Sequence, residues 1–199
     1  QVSSYAMSSA STGTATQVML NGLVVESRSA QGVQNLLFHD ALGRQIGVRD
    51  GRGQDRLTHY DDENGRVDYT EDEAANPTVY GYDAAGRRNS VTDPLTNTVY
   101  TVYDVKGRVL GQWGATYPVF YDYDDFDRMS AMYTLRGTDI TISSYASFTN
   151  YIDSFDKTEW KYDPATGPMT NKVYADGTQV QYAYTNTGQL ASRIWARLD

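Results

Sequence analysis

The stretch YGYDAAGR, residues 80–87, decides the fold of this chain. Tyr80 and Tyr82 are two residues apart, so on a β-strand their side chains lie on the same face. Asp83 and Gly86 then occupy the first and fourth positions of a four-residue turn. Asp is favoured at the first position because its carboxylate accepts hydrogen bonds from nearby backbone N–H groups, and Gly at the fourth because it adopts positive φ without steric cost. Arg87 begins the returning strand, so the stretch predicts a β-hairpin.

The same pattern recurs along the chain at a nearly constant spacing. The turn aspartates of the copies are Asp40, Asp61, Asp83, Asp104, Asp124 and Asp163. The first five follow one another at intervals of 21, 22, 21 and 20 residues, and the sixth comes after 39, close to two intervals. A unit of about 21 residues holds two short strands and two turns, whereas a βα unit needs about 30 or more. The spacing therefore predicts consecutive antiparallel hairpins.

The repeat defines a set of structural residues: strand tyrosines, the turn Asp and Gly, and the Arg that follows. The set is Asp40, Gly43, Arg44, Tyr60, Asp61, Gly65, Arg66, Tyr80, Tyr82, Asp83, Gly86, Arg87, Tyr103, Asp104, Gly107, Arg108, Tyr121, Tyr123, Asp124, Arg128, Tyr162, Asp163, Gly167, Tyr182, Tyr184 and Gly188. The copies weaken toward the C-terminus, where Asp127 replaces the glycine of one turn and Gln189 replaces the arginine of another.

Equivalent residues of adjacent repeats are expected to form columns along the sheet. For the tyrosines we predict a packed ladder, with a sugar-binding platform as the alternative. For the arginines we predict Asp–Arg contacts that brace adjacent turns, with an anion or glycan site as the alternative. Val67, Val109 and Met129 each follow a turn arginine, and we expect them to lie opposite motif tyrosines across the hairpins.

The repeated sequence resembles the YD-repeat, or Rhs-repeat, family, whose signature is close to Tyr-x-Tyr-Asp-x-x-Gly-Arg-Leu. The resemblance covers roughly residues 20–198. It implies an all-β fold in which successive hairpins form one continuous, curved sheet that spirals as part of a hollow β-shell. Rhs toxins, shell components of insecticidal toxin complexes and teneurins share this architecture.

The repeat pattern divides a single predicted β domain, residues 1–199, into four regions. Residues 1–32 form a divergent N-terminal repeat with a hairpin at Asn21-Gly22, and residues 33–135 hold the regular repeats. Residues 136–158 break the rhythm and are either a divergent repeat or an insertion, with a short helix as an open alternative. Residues 159–199 are degenerate repeats. We interpret the chain as a fragment of a longer protein.

Composition and motifs argue against several functions. The net charge of −8 disfavours binding to nucleic acid or to an anionic membrane. The chain has no cysteine, and His39 and His59 lack a third ligand at metal-site spacing. The acidic run at residues 122–127 does not fit a calcium-binding EF-hand loop. We therefore predict no catalytic residue, no metal and no cofactor.

One family feature concerns an Asp-Pro step. Rhs proteins carry a self-cleaving aspartate motif near the toxin domain, and Asp93-Pro94 and Asp163-Pro164 resemble its Asp-Pro step weakly. Both dipeptides lie where ordinary repeat turns are expected. No catalytic role is assigned to either.

Two hypotheses about function follow. In the first, the chain is a non-enzymatic segment of a secreted or cell-surface protein, and its partners are adjacent repeats and an enclosed or displayed effector domain. This extracellular location is implied by the resemblance only. In the alternative, the chain is an adhesion module that binds a glycan or a protein through aromatic residues such as Trp113 and Trp160, or a filament that self-associates through open sheet edges.

Overall fold

The computed structural model describes residues 3–8, 14–30, 32–135 and 140–195. The chain folds as two compact units, Gln1–Thr96 and Asn97–Asp199. Seventeen β-strands, one short α-helix and one 3-10 helix lie in the described residues. The predicted all-β fold of successive antiparallel strands in an open sheet is confirmed.

The described residues of the first unit form nine strands, each antiparallel to the next along the chain. They are β1 (Ser3–Ser8), β2 (Thr14–Leu20), β3 (Leu23–Arg28), β4 (Gln34–His39), β5 (Gln45–Arg49), β6 (Asp55–Tyr60), β7 (Val67–Glu71), β8 (Pro77–Tyr82) and β9 (Arg88–Thr92). Most connections have five or six residues, longer than the three to four expected from the repeat spacing.

In the second unit, the part that the structure describes has eight strands, which also pair in chain order. They are β10 (Thr98–Tyr103), β11 (Val109–Gly114), β12 (Val119–Tyr123), β13 (Met129–Leu135), β14 (Phe155–Tyr162), β15 (Met169–Val173), β16 (Gln179–Tyr184) and β17 (Leu190–Trp195). Helix α1 (Tyr145–Asn150) and the 3-10 helix Ile152–Ser154 lie between β13 and β14. Residues 136–139, the start of the segment that breaks the rhythm, lie outside the described residues.

A one-residue β-bulge separates each motif turn from the regular ladder. Tyr60 pairs with Val67 and His59 with Tyr69, so Asp68 has no residue opposite it. The same register shift occurs in six further motif hairpins. A bulge bends the strand and increases its twist. The predicted pairing of Val67, Val109 and Met129 with motif tyrosines is confirmed.

The main buried cluster belongs to the second unit. It consists of Trp113, Phe120, Ala131, Tyr133, Leu135, Ile142, Phe148 and Phe155. Phe148 of α1 stacks on Phe120, with ring centroids 3.9 Å apart. Gly111 makes room for this stack, because a Cβ at that position would overlap the Phe120 ring. The short helix thus covers one face of the sheet and gives this unit a core.

Candidate functional site: the contact between repeats

The motif turn is closed by hydrogen bonds between its own residues. In the turn after β8, the Gly86 N–H donates to the Asp83 carbonyl at 2.9 Å, and the Asp83 N–H donates to the Arg87 carbonyl at 2.9 Å. The Asp83 carboxylate accepts from the backbone N–H groups of Ala85 and Arg87 through Oδ1, and from Arg87 Nε at 2.7 Å through Oδ2. Gly86 has a φ of 81°, which only glycine adopts without strain.

Three further turns repeat this arrangement. The shared contacts are two backbone N–H donors to Oδ1 and an Arg Nε donor to Oδ2, at Asp40, Asp104 and Asp124. These four ion pairs lie within single turns, whereas the sequence predicted Asp–Arg contacts between adjacent turns. One contact of the predicted kind is present, from Arg108 to Asp127 of the next motif turn at 2.7 Å. The physical reason is distance: the arginine four residues after the aspartate reaches its own carboxylate first.

These hydrogen bonds lower the pKa of the turn carboxylates. The backbone N–H of Arg87 is the largest influence on Asp83 and, together with the Arg87 guanidinium, it holds the pKa of that carboxyl below its ordinary value. At Asp104 and Asp124, partial desolvation opposes ionisation, but the hydrogen bonds from the turn and its arginine outweigh it and the pKa is again lowered. The turn aspartates are ionised at neutral pH and are already engaged as acceptors.

The arginine side chain reaches the next repeat through an aromatic ring. The guanidinium carbon of Arg44 lies 4.4 Å from the centroid of the Tyr60 ring, which belongs to the following hairpin. The same cation–π contact recurs in the pairs Arg66–Tyr82, Arg108–Tyr123 and Arg128–Tyr162, at 5.1, 4.5 and 4.1 Å. A cation over a ring face is attracted by the negative side of the aromatic quadrupole. Each motif arginine in these pairs thus joins two successive repeats.

The tyrosine hydroxyl completes the contact from the other side. In each case it donates to the backbone carbonyl of the residue just after the arginine position in the preceding hairpin. The pairs are Tyr60 to Gln45, Tyr82 to Val67, Tyr123 to Val109, Tyr162 to Met129 and Tyr184 to Met169, at 2.7 to 3.1 Å. The column of tyrosines is therefore a hydrogen-bonded ladder between repeats.

Divergent turns replace individual contacts but keep the ladder. In the longer turn after β6, the Asn64 side-chain amide donates to Asp61 Oδ2 at 2.8 Å, where other turns have an arginine Nε. Asp127 occupies the glycine position with a φ of 64°, and its carboxylate bonds Lys106 and Arg108 of the preceding turn. In the turn after β14, Asp163 accepts from the Thr166 N–H at 2.7 Å.

The remaining motif residues are four tyrosines and the turn glycines. Tyr80 is covered by the Arg88 guanidinium at 4.0 Å, and Tyr182 by Arg193 at 5.7 Å. Tyr103 and Tyr121 lie in β10 and β12. The motif glycines all have positive φ; they are Gly43, Gly65, Gly86, Gly107, Gly167 and Gly188.

Sequence reasoning identified the tyrosine and arginine columns but missed how they meet. The Arg–Tyr stack and the hydroxyl-to-carbonyl bond depend on the register between two hairpins, which no local spacing encodes. The sequence holds one signal for this contact. Tyrosine and arginine recur at fixed positions in every repeat, so the arginine of one repeat can lie next to the tyrosine of the following repeat.

His59, Trp113 and Trp160 have structural surroundings. His59 stacks on Tyr69 with ring centroids 4.0 Å apart, and its Nε2 lies 3.2 Å from a Glu71 carboxylate oxygen. Trp113 is only 8% exposed and packs in the buried cluster, and Lys172 lies over the Trp160 ring at 5.4 Å. No group of three His, Asp or Glu side chains able to hold a metal ion is found among the described residues.

A cavity of about 730 Å³ lies in the second unit. Its lining includes Asp153, Asp156, Lys157, Glu159 and Tyr174. Lys157 and Glu159 form an ion pair at 2.6 Å, so part of this charge is already neutralised. None of the helices in the described part of the chain is long and apolar enough to cross a membrane.

Comparison with known proteins finds a likeness in structure alone. No family model matches the sequence, and no curated protein matches it significantly. A crystal structure of TcdB2-TccC3 without its hypervariable C-terminal region aligns with 91% of this chain, at a TM-score of 0.58 and 17% identity. A Photorhabdus luminescens Tc holotoxin pore with the mutation TccC3-D651A aligns with 92%, at the same TM-score and identity.

A TcdB2-TccC3-Cdc42 crystal structure matches equally well, with a TM-score of 0.58 and 17% identity over 91% of this chain. At this identity, the likeness shows a shared fold, and the resemblance to the YD-repeat family is borne out at that level. The chain spans 12% of the length of each matched chain.

Proposed function

We propose that this chain is a non-enzymatic structural segment of a longer, secreted or surface YD-repeat protein. Its hairpins form part of a shell wall that encloses or displays an effector domain. The observation that carries the proposal is the tyrosine ladder, in which five hydroxyl groups each bond the backbone of the preceding hairpin. A contact that repeats from hairpin to hairpin is what an extended array held together by nearest-neighbour interactions requires.

The state of the polar groups supports a structural role. The turn carboxylates that dominate the motif accept two or three hydrogen bonds each, so they are poorly placed to act as general acids or bases. Arg44, Arg108 and Arg128 each divide their donors and their charge between a turn carboxylate and a tyrosine ring. The repeated residues are thus committed to holding adjacent hairpins together.

The likeness to chains in Tc toxin complexes supports the wider context. Because this chain covers about an eighth of those chains, any enclosing function belongs to the longer protein of which it would be one segment. Its partners would be the neighbouring repeats on either side and the effector domain behind the wall. Extracellular location follows from the same reasoning.

The alternative of a glycan-binding or adhesive surface has less support. The ring faces of Tyr60, Tyr123 and Tyr162 are covered by guanidinium groups, and their hydroxyls are bonded to backbone. Trp113 is buried. Aromatic sugar-binding platforms need an open ring face, so we expect no binding of this chain to a glycan array, and specific binding there would favour the alternative.

The test uses the full-length gene product. We expect the triple variant Tyr82→Phe, Tyr123→Phe and Tyr162→Phe to expose the effector domain to added protease, because three bonds between hairpins are removed. Tyr117→Phe is the matched control, since this tyrosine is 59% exposed and lies outside the ladder. An effector domain that is equally protected in the triple variant, or a full-length product in which no further domain is shielded, would refute the enclosing role.

A further inference from the structure

The turn between β2 and β3 carries an asparagine–glycine pair that plays no part in the contact between repeats. Its two residues, Asn21 and Gly22, are exposed, and Leu20 pairs with Leu23 on either side of them. Apart from the neighbouring residues of the chain, no atom lies within 4 Å of the position that a Gly22 Cβ would occupy. Within the described part of the chain, neither the Asn21 side chain nor the Gly22 N–H forms a hydrogen bond.

An asparagine that precedes glycine can react with its own backbone. The Gly22 nitrogen attacks Asn21 Cγ, its proton passes to the side-chain amide nitrogen, the bond from Cγ to that nitrogen breaks, and ammonia leaves. Water then opens the cyclic succinimide. Addition of water at Cγ gives aspartate, and addition at the main-chain carbonyl carbon gives isoaspartate, whose main chain runs through Cγ. Glycine favours the first step because it has no Cβ to obstruct its nitrogen.

The other Asn-Gly pair of the chain, Asn64-Gly65, is held by its turn. Asn64 Nδ2 donates to Asp61 Oδ2 at 2.8 Å, and the Gly65 N–H donates to the Asp61 carbonyl at 2.8 Å. The attacking nitrogen and the leaving amide are therefore both engaged in hydrogen bonds. Opening one such bond slows the reaction by a factor of about five, because its net strength is about 1 kcal/mol.

The two Asp-Gly pairs, which can form the same succinimide by loss of water, are also engaged. The Asp50 carboxylate accepts from the backbone N–H groups of Arg52 and Gln54, at 2.8 and 3.0 Å. The Asp176 carboxylate accepts from the N–H and the hydroxyl of Thr178, at 2.9 and 2.7 Å. Of these four pairs, the one at Asn21 is the least restrained.

We propose that Asn21 is a site of spontaneous deamidation in the folded protein, and that the turn at Asn64 protects the second site. The reaction consumes only water and is independent of the proposed structural function. Isoaspartate adds one main-chain atom to a turn of two residues whose strands are already paired at Leu20 and Leu23. Conversion therefore loosens the end of the β2–β3 hairpin, which becomes less stable as the protein ages.

The test follows both asparagines in one sample of the folded chain, kept in mildly alkaline buffer at physiological temperature. Peptide mapping by mass spectrometry measures the mass gain from amide to acid at each site, and chromatography separates aspartyl from isoaspartyl peptides. We expect Asn21 to deamidate at least about tenfold faster than Asn64, because two hydrogen bonds must open at the second site. In concentrated urea, where neither turn is present, the two rates should become similar.

Asp61→Ala is the matched variant for the protected site. It removes the acceptor of the Asn64 side-chain amide and leaves the main chain of the turn in place. Deamidation of Asn64 should become about three- to fivefold faster, as expected for the loss of one hydrogen bond, and the rate at Asn21 should be unchanged. Because both rates come from the same sample, unfolding of this variant would be recognised by a rate at Asn64 equal to that in urea.

Amide hydrogen exchange measures the structural consequence. The isoaspartyl chain is compared with the variant Asn21→Asp, which gains the charge without the extra main-chain atom. We expect the amides of β2 and β3 next to the turn to exchange at least about threefold faster in the isoaspartyl chain. Equal exchange in the two would overturn the loosening of the hairpin.

Two further results would overturn the assignment of the site. Equal rates at Asn21 and Asn64 in the folded chain would mean that the turn at Asn64 gives no protection. A rate ratio in urea as large as that in the folded chain would mean that the flanking sequence, and not the fold, selects Asn21.

Discussion

The fourth position of the turns shows what the fold requires of a single residue. Most turns have glycine there, but Thr96 has a φ of 67° and Asp127 a φ of 64°. A β-branched residue in this left-handed region is strained. Asp127 receives compensation from its ion pairs with Lys106 and Arg108, at 2.5 and 2.7 Å. Thr96 offers a cleaner measure of the strain.

Thr96→Gly is expected to raise the free energy of unfolding by about 1 kcal/mol. Removing the left-handed strain stabilises the fold by about 1–2 kcal/mol. This exceeds the entropic cost of ordering glycine, which is more flexible than threonine in the unfolded chain. Gly86→Val should act in the opposite direction and cost about 1–3 kcal/mol, because φ is 81° at that turn. Urea denaturation measures both. If Thr96→Gly lowers stability, the turn does not store the strain described.

At the scale of elements, the turn and the helix differ in how far local sequence specifies them. Asp, Gly and Arg lie within five residues of one another, and their contacts are local, so the hairpins were predictable from spacing. Helix α1 was only an open alternative because its sequence signal is faint. The Ser144 side chain accepts a hydrogen bond from the Ser147 backbone N–H, and the Ser147 side chain accepts one from the Ser144 backbone N–H, but Ser147 stands where a capping box usually has Glu or Gln. Its position depends on Phe148 packing against distant strands, which the sequence pattern does not reveal.

Acid should destabilise the hairpins through the turn carboxylates. The pKa values of Asp50, Asp83 and Asp104 are all lowered in the fold. Their contribution to stability is therefore complete above the unfolded value of about 4, and is lost as pH falls through the lower folded values. We expect the melting temperature to be level between about pH 5 and 7 and to fall below about pH 4.

The control for this pH dependence is Asp83→Asn, which keeps the shape of the side chain but removes its titration. Its melting temperature should be lower at neutral pH and should fall less steeply in acid than that of the unmodified chain. Parallel curves for the two proteins would show that the turn carboxylate does not cause the loss of stability.

Phe148→Ala should destabilise the second unit by about 3 kcal/mol or more, as for large-to-small changes in a core. Phe148 is 3% exposed and contacts the rings of Phe120 and Phe155 at centroid distances of 3.9 and 5.0 Å. Loss of near-ultraviolet circular dichroism from buried Trp113 would report the change. Tyr151→Ala, at a half-exposed position just after the helix, is the control and should cost less than about 1 kcal/mol.

At the scale of the whole molecule, each hairpin is stabilised mainly by its neighbours in the chain. Within both units every strand pairs with the next one along the sequence, and the hydroxyl bonds of the ladder join consecutive hairpins. The period predicted this connectivity, because a short turn allows only an antiparallel neighbour. The contacts between repeats could not be predicted in this way. An arginine of one repeat lies over a tyrosine ring of the next, and the tyrosine hydroxyl bonds a backbone carbonyl of the first; both contacts depend on the three-dimensional register between hairpins.

Nearest-neighbour stabilisation predicts a particular pattern of coupling between substitutions. Tyr60→Phe and Tyr162→Phe remove bonds in separate hairpins with no shared partner, so their effects on the free energy of unfolding should add within about 0.5 kcal/mol. Arg44→Gln and Tyr60→Ala act on the same contact, since the guanidinium lies 4.4 Å from the ring centroid, and should couple by about 0.5–1 kcal/mol.

Two double-mutant cycles by urea denaturation measure these couplings. Coupling confined to the Arg44–Tyr60 pair is the result expected for a quasi-one-dimensional array, in which a substitution is felt by adjacent repeats alone. Strong coupling between Tyr60 and Tyr162 would contradict it, because the hydroxyls of these two tyrosines bond different backbone carbonyls. An array built by such local contacts tolerates divergence in one repeat, as at Asp127, while the hydroxyl bonds of the repeats on either side are kept.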